Sequence, residues 1–206
     1  MINLENMMKE DRLTTGTTTI AFKIKDGIIV ATESQATAGY LVATKNAQKL
    51  FKITDHIATT ISGGVADCQY VVDQARALAR LREVEKGKEA PLKYIANVIR
   101  NLLFQGRSYF LSMMLVVGYD VTEDAPKIYG VDLLGTLFEE DKFMSFGSGS
   151  VFALGTLEAN FKEDMGKKEG IDLAKRAISA ARSRDIASGH KIQCAVITKD
   201  GYEKIE

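Results

Sequence analysis

Residues 16–33 of this 206-residue chain read GTTTIAFKIKDGIIVATE. β-branched and apolar residues fill both halves of this stretch, and such residues favour strands. The pair Asp26-Gly27 between the two halves is a preferred two-residue hairpin turn. The stretch therefore predicts two antiparallel strands, at residues 18–25 and 28–33, that begin a sheet.

A second pair of short strands is predicted at residues 50–53 and 57–62, just before two consecutive glycines. Apolar residues then recur at steps of three and four, with charged residues between them, from Val65 to near Gly87. This period is typical of an amphipathic helix. A second helix is predicted after Pro91, because proline suits the first helical turn.

The rest of the chain alternates strands and helices in the same way. The predicted strands lie at residues 113–119, 127–131, 142–146 and 194–198, with helices at 151–161 and 171–183 and a last turn at 200–201. Strands grouped in blocks, with helices in pairs between them, predict an α+β fold. We expect a four-layer αββα sandwich of two antiparallel sheets between two helical layers.

Composition excludes several classes of protein. The chain has 46% hydrophobic and 26% charged residues, and its 27 basic and 27 acidic residues cancel, so a footprint for nucleic acid is absent. Its apolar runs are too short to span a membrane, and its first residues lack the apolar core of a secretory signal. We therefore expect a cytoplasmic protein.

Cofactor signals are also absent from the sequence. Cys68 and Cys194 are too few and too far apart for a disulfide framework or a metal site, so both are interpreted as core residues. The glycines at 147 and 149 lack the third glycine of a dinucleotide fingerprint, and no phosphate-binding loop occurs. We expect no metal, nucleotide or organic cofactor.

The threonines at residues 17–19 admit two interpretations. They could simply begin a strand. If the chain is instead cut between Gly16 and Thr17, the new N-terminal threonine carries a hydroxyl and an α-amine that titrates near pH 8 and can accept the hydroxyl proton. That chemistry needs no histidine, and His56 and His190 lie in segments that show no pattern of a catalytic triad.

Seven short segments together resemble one known family, the β subunits of the proteasome, which are N-terminal threonine hydrolases. They are GTTT at 16–19, DGIIVATE at 26–33, ATAGY at 36–40, KNAQK at 45–49, SGGVAD at 62–67, GSG at 147–149 and RDIASG at 184–189. The likeness is to archaeal-type subunits, covers nearly the whole chain and implies the N-terminal nucleophile hydrolase fold.

The resemblance assigns roles to particular residues. Thr17 matches the nucleophile, Lys49 the cation beside it and Glu33 the carboxylate that holds this lysine. Gly63 matches the glycine whose N–H stabilises the oxyanion. The polar residues that orient the threonine match Ser148, Asp185 and Ser188. One position departs from the family: Gln35 stands where an arginine is common, so a charge is lost near the site.

The resemblance also implies specificity, maturation and assembly. The first substrate pocket falls on Ala36, Ala47, Phe51, Ile61 and Val65, which are uncharged and predict a chymotrypsin-like preference for apolar residues before the cut. A leader, residues 1–16, would be removed autocatalytically at Gly16-Thr17 to leave a single catalytic domain, residues 17–206. The implied partners are other β subunits in a heptameric ring, α subunits, unfolded polypeptide substrates and, indirectly, an ATP-dependent unfoldase.

Three alternatives remain open at this point. The first is a structural subunit of the same ring that never matures, for which Gln35 is a hint. The second is the related bacterial threonine protease that works with an unfoldase and has a segment like residues 63–67, although the loop at 184–189 favours the proteasome. The third is a binding module without enzymatic activity.

Overall fold

The computed structural model of the chain describes residues 16–39 and 41–205. The predicted leader lies outside the described residues except for Gly16. The strands are β1 Thr19–Ile24, β2 Gly27–Glu33, β3 Ala36–Ala38, β4 Leu41–Thr44, β5 Leu50–Lys52, β6 Ile57–Gly63, β7 Ser112–Asp120, β8 Ala125–Val131, β9 Leu137–Glu140, β10 Phe143–Phe146, β11 Ile192–Thr198 and β12 Gly201–Ile205. The helices are α1 Val65–Lys86, α2 Leu92–Gly106, α3 Ser150–Asn160 and α4 Lys167–Arg182.

Ten of these strands form two antiparallel sheets, with strand orders β10-β1-β2-β11-β12 and β5-β6-β7-β8-β9. Apolar side chains such as Val30 and Leu115 fill the layer between the two sheets. The outer face of the first sheet packs against α3 and α4, and that of the second sheet packs against α1 and α2. The layers therefore run helix, sheet, sheet, helix, which confirms the predicted αββα sandwich.

The first hairpin forms as predicted, but its turn lies one residue earlier. Ile24 pairs with Gly27, so Lys25 and Asp26 are the turn residues. Gly27 is instead the first residue of β2, where a Cβ atom would lie 2.2 Å from the carbonyl oxygen of Ile197 on β11. This glycine allows close strand packing, so the Asp-Gly signal gave the right hairpin for a different reason.

Three strands, β3, β4 and β9, were missed by the sequence prediction. β3 and β4 form a separate two-stranded sheet, in which every residue of β4 is exposed. β9 has three exposed residues among its four. These strands bury little apolar surface, so they lack the alternating pattern on which the prediction of strands depends.

The helices agree better with their predicted positions. α1 ends at Lys86 and is capped by Gly87, which has the left-handed φ of 66° and donates its N–H to the carbonyl oxygen of Glu83. α2 follows Pro91 directly. α4 begins at Lys167, before the predicted start at residue 171, because its first turn is charged and exposed and carries no apolar period.

Both cysteines lie in the core, as expected. Cys68 packs on the α1 side and Cys194 on the α4 side. Burial raises the pKa of each thiol to about 11, so both remain protonated at neutral pH. Among residues 16–39 and 41–205, no helix combines the length and the apolar character needed to cross a membrane.

Candidate active site

Thr17 lies two residues before the start of β1, and only 3% of its surface is exposed. Its hydroxyl donates a hydrogen bond to the carbonyl oxygen of Gly16 at 2.6 Å. The Lys49 ammonium donates to Thr17 Oγ1 at 2.8 Å and approaches the same Gly16 oxygen at 3.4 Å. One cation therefore contacts both the hydroxyl and the carbonyl of the predicted cleavage point.

Lys49 and Glu33 form a buried ion pair beside Thr17. Their side chains are 4% and 0% exposed, and Nζ lies 2.5 Å from Oε1. Glu33 ends β2 in the first sheet, whereas Lys49 directly precedes β5 in the second. The other oxygen of Glu33 accepts the backbone N–H groups of Gln35 at 2.6 Å and Gly189 at 3.1 Å. These donors compensate the cost of burying a carboxylate.

Burial also determines the proton affinity of this lysine. Loss of solvent lowers the pKa of Lys49 below the usual value of a lysine, and the neighbouring Glu33 carboxylate offsets part of this effect. A lysine with a lowered pKa can exchange a proton with Thr17 more readily than an exposed lysine would.

A second polar group contacts the backbone nitrogen of Thr17. The Asp185 carboxylate, just after α4, accepts hydrogen bonds at Oδ2 from the hydroxyls of Ser148 and Ser188, both at 2.6 Å. Ser148 Oγ in turn accepts the Thr17 N–H at 3.3 Å, and the Thr18 hydroxyl lies 2.7 Å from Ser188 Oγ. The nitrogen that would become the free α-amine is thus held by a chain of hydroxyls that ends on a carboxylate.

Gly63 is the last residue of β6 and lies beside Thr17 and Lys49. Its φ of 126° is open to glycine but strained for other residues. It lines a cavity of about 20 Å³, which has room for about one water molecule, together with Gly16, Thr17 and Lys49. The predicted oxyanion glycine therefore lies beside the predicted nucleophile.

The predicted substrate pocket is only partly assembled around this cavity. Ala36, Ile61 and Val65 line it. Ala47 and Phe51 are not among the described residues that line it. The Ala47 N–H donates to the carbonyl oxygen of Ser34 and its carbonyl oxygen accepts from the side-chain amide of Gln193, while Phe51 packs in the core under α1 and α2.

One residue that holds Lys49 in place was not predicted from the sequence. Gln193 projects from β11 and accepts the backbone N–H groups of Lys49 at 3.0 Å and Leu50 at 3.1 Å, while its amide donates to the carbonyl oxygen of Ala47 at 2.6 Å. It thereby joins the two sheets. A polar residue inside the apolar strand IQCAVIT is the signal that could have found it.

Other reactive groups of the described chain lie outside this site. The ring nitrogens of His56 contact Glu89 at 2.6 Å and the carbonyl oxygen of Lys199 at 3.0 Å. Among the described residues, no group of three or more His, Cys, Asp or Glu side chains could hold a metal ion.

Comparison with known proteins gives a consistent result. A family model described as "Proteasome subunit" matches residues 13–197. A "Proteasome subunit beta" of Methanocaldococcus vulcanius is 43% identical over 189 residues, 91% of this chain and 84% of that protein. A "Proteasome subunit beta 2" of Pyrobaculum islandicum is 38% identical over 92% of this chain and 94% of its own length. A "Proteasome subunit beta" of Methanococcoides burtonii is 39% identical over 97% and 94%.

Proposed function

This chain belongs to the proteasome family, among the β subunits of archaeal type, and we propose that it is an active N-terminal threonine endopeptidase. Membership of this family implies assembly with other proteasome subunits. The observation that supports an active subunit is the convergence of the Thr17 hydroxyl, the Lys49 ammonium and the Gly16 carbonyl within 3.4 Å.

In the proposed reaction, Thr17 Oγ attacks the carbonyl carbon of a substrate peptide bond. The α-amine of the mature chain takes the hydroxyl proton and passes it to the departing amine, which leaves an ester between Thr17 and the substrate's acyl part. Water then attacks that ester, the C–O bond to Thr17 breaks, the acid product is released and the Thr17 hydroxyl is regenerated. The N–H of Gly63 is proposed to stabilise the negative oxygen in both steps.

Maturation is proposed to use the same atoms within one chain. Thr17 Oγ attacks the carbonyl carbon of Gly16, the C–N bond to Thr17 breaks, and the nitrogen gains the proton that the hydroxyl loses. Water hydrolyses the resulting ester, so residues 1–16 depart and Thr17 gains a free amine. The experiment that tests the whole proposal is the intact mass of the subunit after co-expression with an α subunit, with covalent labelling of Thr17 by an electrophile selective for N-terminal threonine.

The close packing of Gly16 against Ala187 leads to a specific prediction for maturation. A Cβ atom at this position would lie 1.7 Å from the Cβ of Ala187, closer than atoms can approach. We expect Gly16→Ala to displace the scissile carbonyl and to slow loss of the leader by about a hundredfold, as a shift of about 1 Å does in other enzymes. Mass spectrometry over time measures this rate.

Gly16→Ala has a built-in control, because residue 16 is absent from the mature chain. Each processed subunit should therefore hydrolyse peptides as fast as the wild type. Equal processing rates in Gly16→Ala and wild type would contradict the proposed role of the close packing at Gly16. Slower peptide hydrolysis per processed subunit would show that the substitution disturbs other parts of the subunit.

Apolar residues beside Thr17 support an apolar preference at the residue before the cut. Ala36, Ile61 and Val65 carry no charge that could bind a basic or acidic side chain. We expect fluorogenic peptides that end in Tyr or Leu to be cleaved about tenfold or more faster than those that end in Arg or Glu. The opposite order would exclude this pocket.

We further propose that the chain works in the cytoplasm within a heptameric β ring capped by α subunits. Unfolded polypeptides would be its substrates, delivered by an ATP-dependent unfoldase. Particles that assemble fully but retain residues 1–16 would instead support a structural subunit that never matures.

A further inference from the structure

Gln35 contacts both the Glu33 carboxylate and the loop that carries Asp185 and Ser188. It lies two residues beyond Glu33 and is 5% exposed. Its backbone N–H donates to Glu33 Oε2 at 2.6 Å, while its side-chain amide donates to the carbonyl oxygen of Ile186 at 2.8 Å. One residue thus binds the carboxylate that holds Lys49 and the loop that follows α4.

That loop, residues 184–189, carries the second polar group of the site. It provides the Asp185 carboxylate and the Ser188 hydroxyl, and it also provides the Gly189 N–H that binds Glu33 at 3.1 Å. The side chain of Ile186 is 82% exposed, so apolar packing does not anchor this part of the loop. The Ile186 carbonyl oxygen accepts the hydrogen bond from the Gln35 amide, which therefore helps to hold this part of the loop.

A neutral amide suits this position. Among the described residues, Lys49 is the one basic side chain paired with Glu33. An uncharged donor at position 35 leaves the ion pair between Glu33 and Lys49 intact. A second cation at this position would compete with Lys49 for the Glu33 carboxylate.

We propose that Gln35 is a positioning residue, which holds the 184–189 loop in register with the Glu33–Lys49 pair. The proposal rests on the proposed function for its kinetic consequence, but its structural part concerns the loop alone. Asp185 is connected to the Thr17 nitrogen through Ser148, so a shift of the loop moves the group that orients the reacting nitrogen. Such a shift lowers the rate of the chemical step and leaves the substrate pocket unchanged.

The test uses Gln35→Met in the full chain, assembled with its partner subunits. Methionine has nearly the size of glutamine but cannot donate to Ile186. We expect kcat to fall about tenfold with KM unchanged within about twofold, and amide hydrogen exchange at residues 185–189 to accelerate about tenfold. A matched control is Gln105→Met, which changes an exposed glutamine on α2 and should alter neither quantity.

A second variant distinguishes the loss of loop positioning from a general loss of stability. Gln35 borders a surface hollow of about 570 Å³, so the longer side chain of Gln35→Arg has room and keeps a donor for Ile186. We expect this variant to restore slow exchange in the loop, with partial recovery of kcat because its charge competes for Glu33.

Exchange in the loop that is unchanged in Gln35→Met would overturn the proposal, whatever the activity. So would a fall in kcat that arginine does not relieve and that accompanies a lowered melting temperature, because that result indicates general destabilisation. A wild-type particle that lacks both peptide hydrolysis and leader loss would refute the proposed function instead, and the exchange measurement would then decide the role of Gln35.

Discussion

Thr17→Ala is expected to abolish peptide hydrolysis and leader removal together. The hydroxyl that contacts both Lys49 and the Gly16 carbonyl is the proposed nucleophile of both reactions, and no other hydroxyl shares these contacts in the described structure. Loss of a nucleophile in enzymes of this kind lowers kcat by a factor on the order of 10⁴ or more. The measurement combines fluorogenic peptide hydrolysis with the intact mass of the assembled subunit.

Two variants control this experiment. Thr17→Ser keeps the hydroxyl and should retain a measurable part of both activities. Thr19→Ala removes a threonine hydroxyl that donates only a long 3.4 Å bond to the carbonyl oxygen of Phe146, so it should be processed normally. A Thr17→Ala particle that still hydrolyses peptides and sheds its leader would refute the assignment of Thr17.

Breaking the Glu33–Lys49 pair should produce the second large effect, on both stability and activity. Lys49→Met leaves the Glu33 carboxylate buried without its cation, and Glu33→Gln leaves a buried ammonium without its anion. Removal of one partner from a buried pair costs about 3–5 kcal/mol in the free energy of unfolding. We also expect each variant to lose activity by a factor of about 10³ or more, since Lys49 contacts the nucleophile.

The double variant Glu33→Gln with Lys49→Met distinguishes folding from chemistry. It buries neither charge, so its free energy of unfolding should recover by about 2 kcal/mol or more relative to either single variant. Its activity should stay as low as that of Lys49→Met. Denaturant unfolding and peptide hydrolysis measure the two quantities. Recovered activity in the double variant would mean that the pair stabilises the fold without serving the reaction.

The parts of the fold that bury apolar surface were predictable from the sequence. β2 is buried at all seven residues, and the buried residues of α1 recur at steps of three and four, so both were placed correctly. The β3–β4 hairpin was missed because Leu41 and Val42 point to solvent, with 74% and 46% of their surfaces exposed. Patterns of hydrophobicity report burial, and an exposed hairpin leaves no such pattern.

The site was predictable only in part, for a different reason. Thr17, Glu33 and Lys49 belong to recognisable motifs, and the structure places the Lys49 ammonium within hydrogen-bond distance of both Thr17 and Glu33. Gln193 contacts the same site although it lies 144 positions beyond Lys49 in the chain. The hydrogen bonds of its side-chain amide form only because the two sheets pack together. Glutamines carry no charge and fit many environments, so their roles depend on the tertiary fold and not on local sequence.

The intact Gly16–Thr17 bond has a consequence for which group accepts the first proton. In this state the nitrogen of Thr17 is an amide, which has no basic lone pair, and it already donates its hydrogen to Ser148. The group with exchangeable protons that contacts Thr17 Oγ1 is the Lys49 amine, whose pKa burial lowers. We therefore expect Lys49 to relay the hydroxyl proton in the first cut, giving up one proton as it takes another from Thr17. The amine that this cut releases would serve as the base in every later cut, so a single site would move the proton in two successive ways.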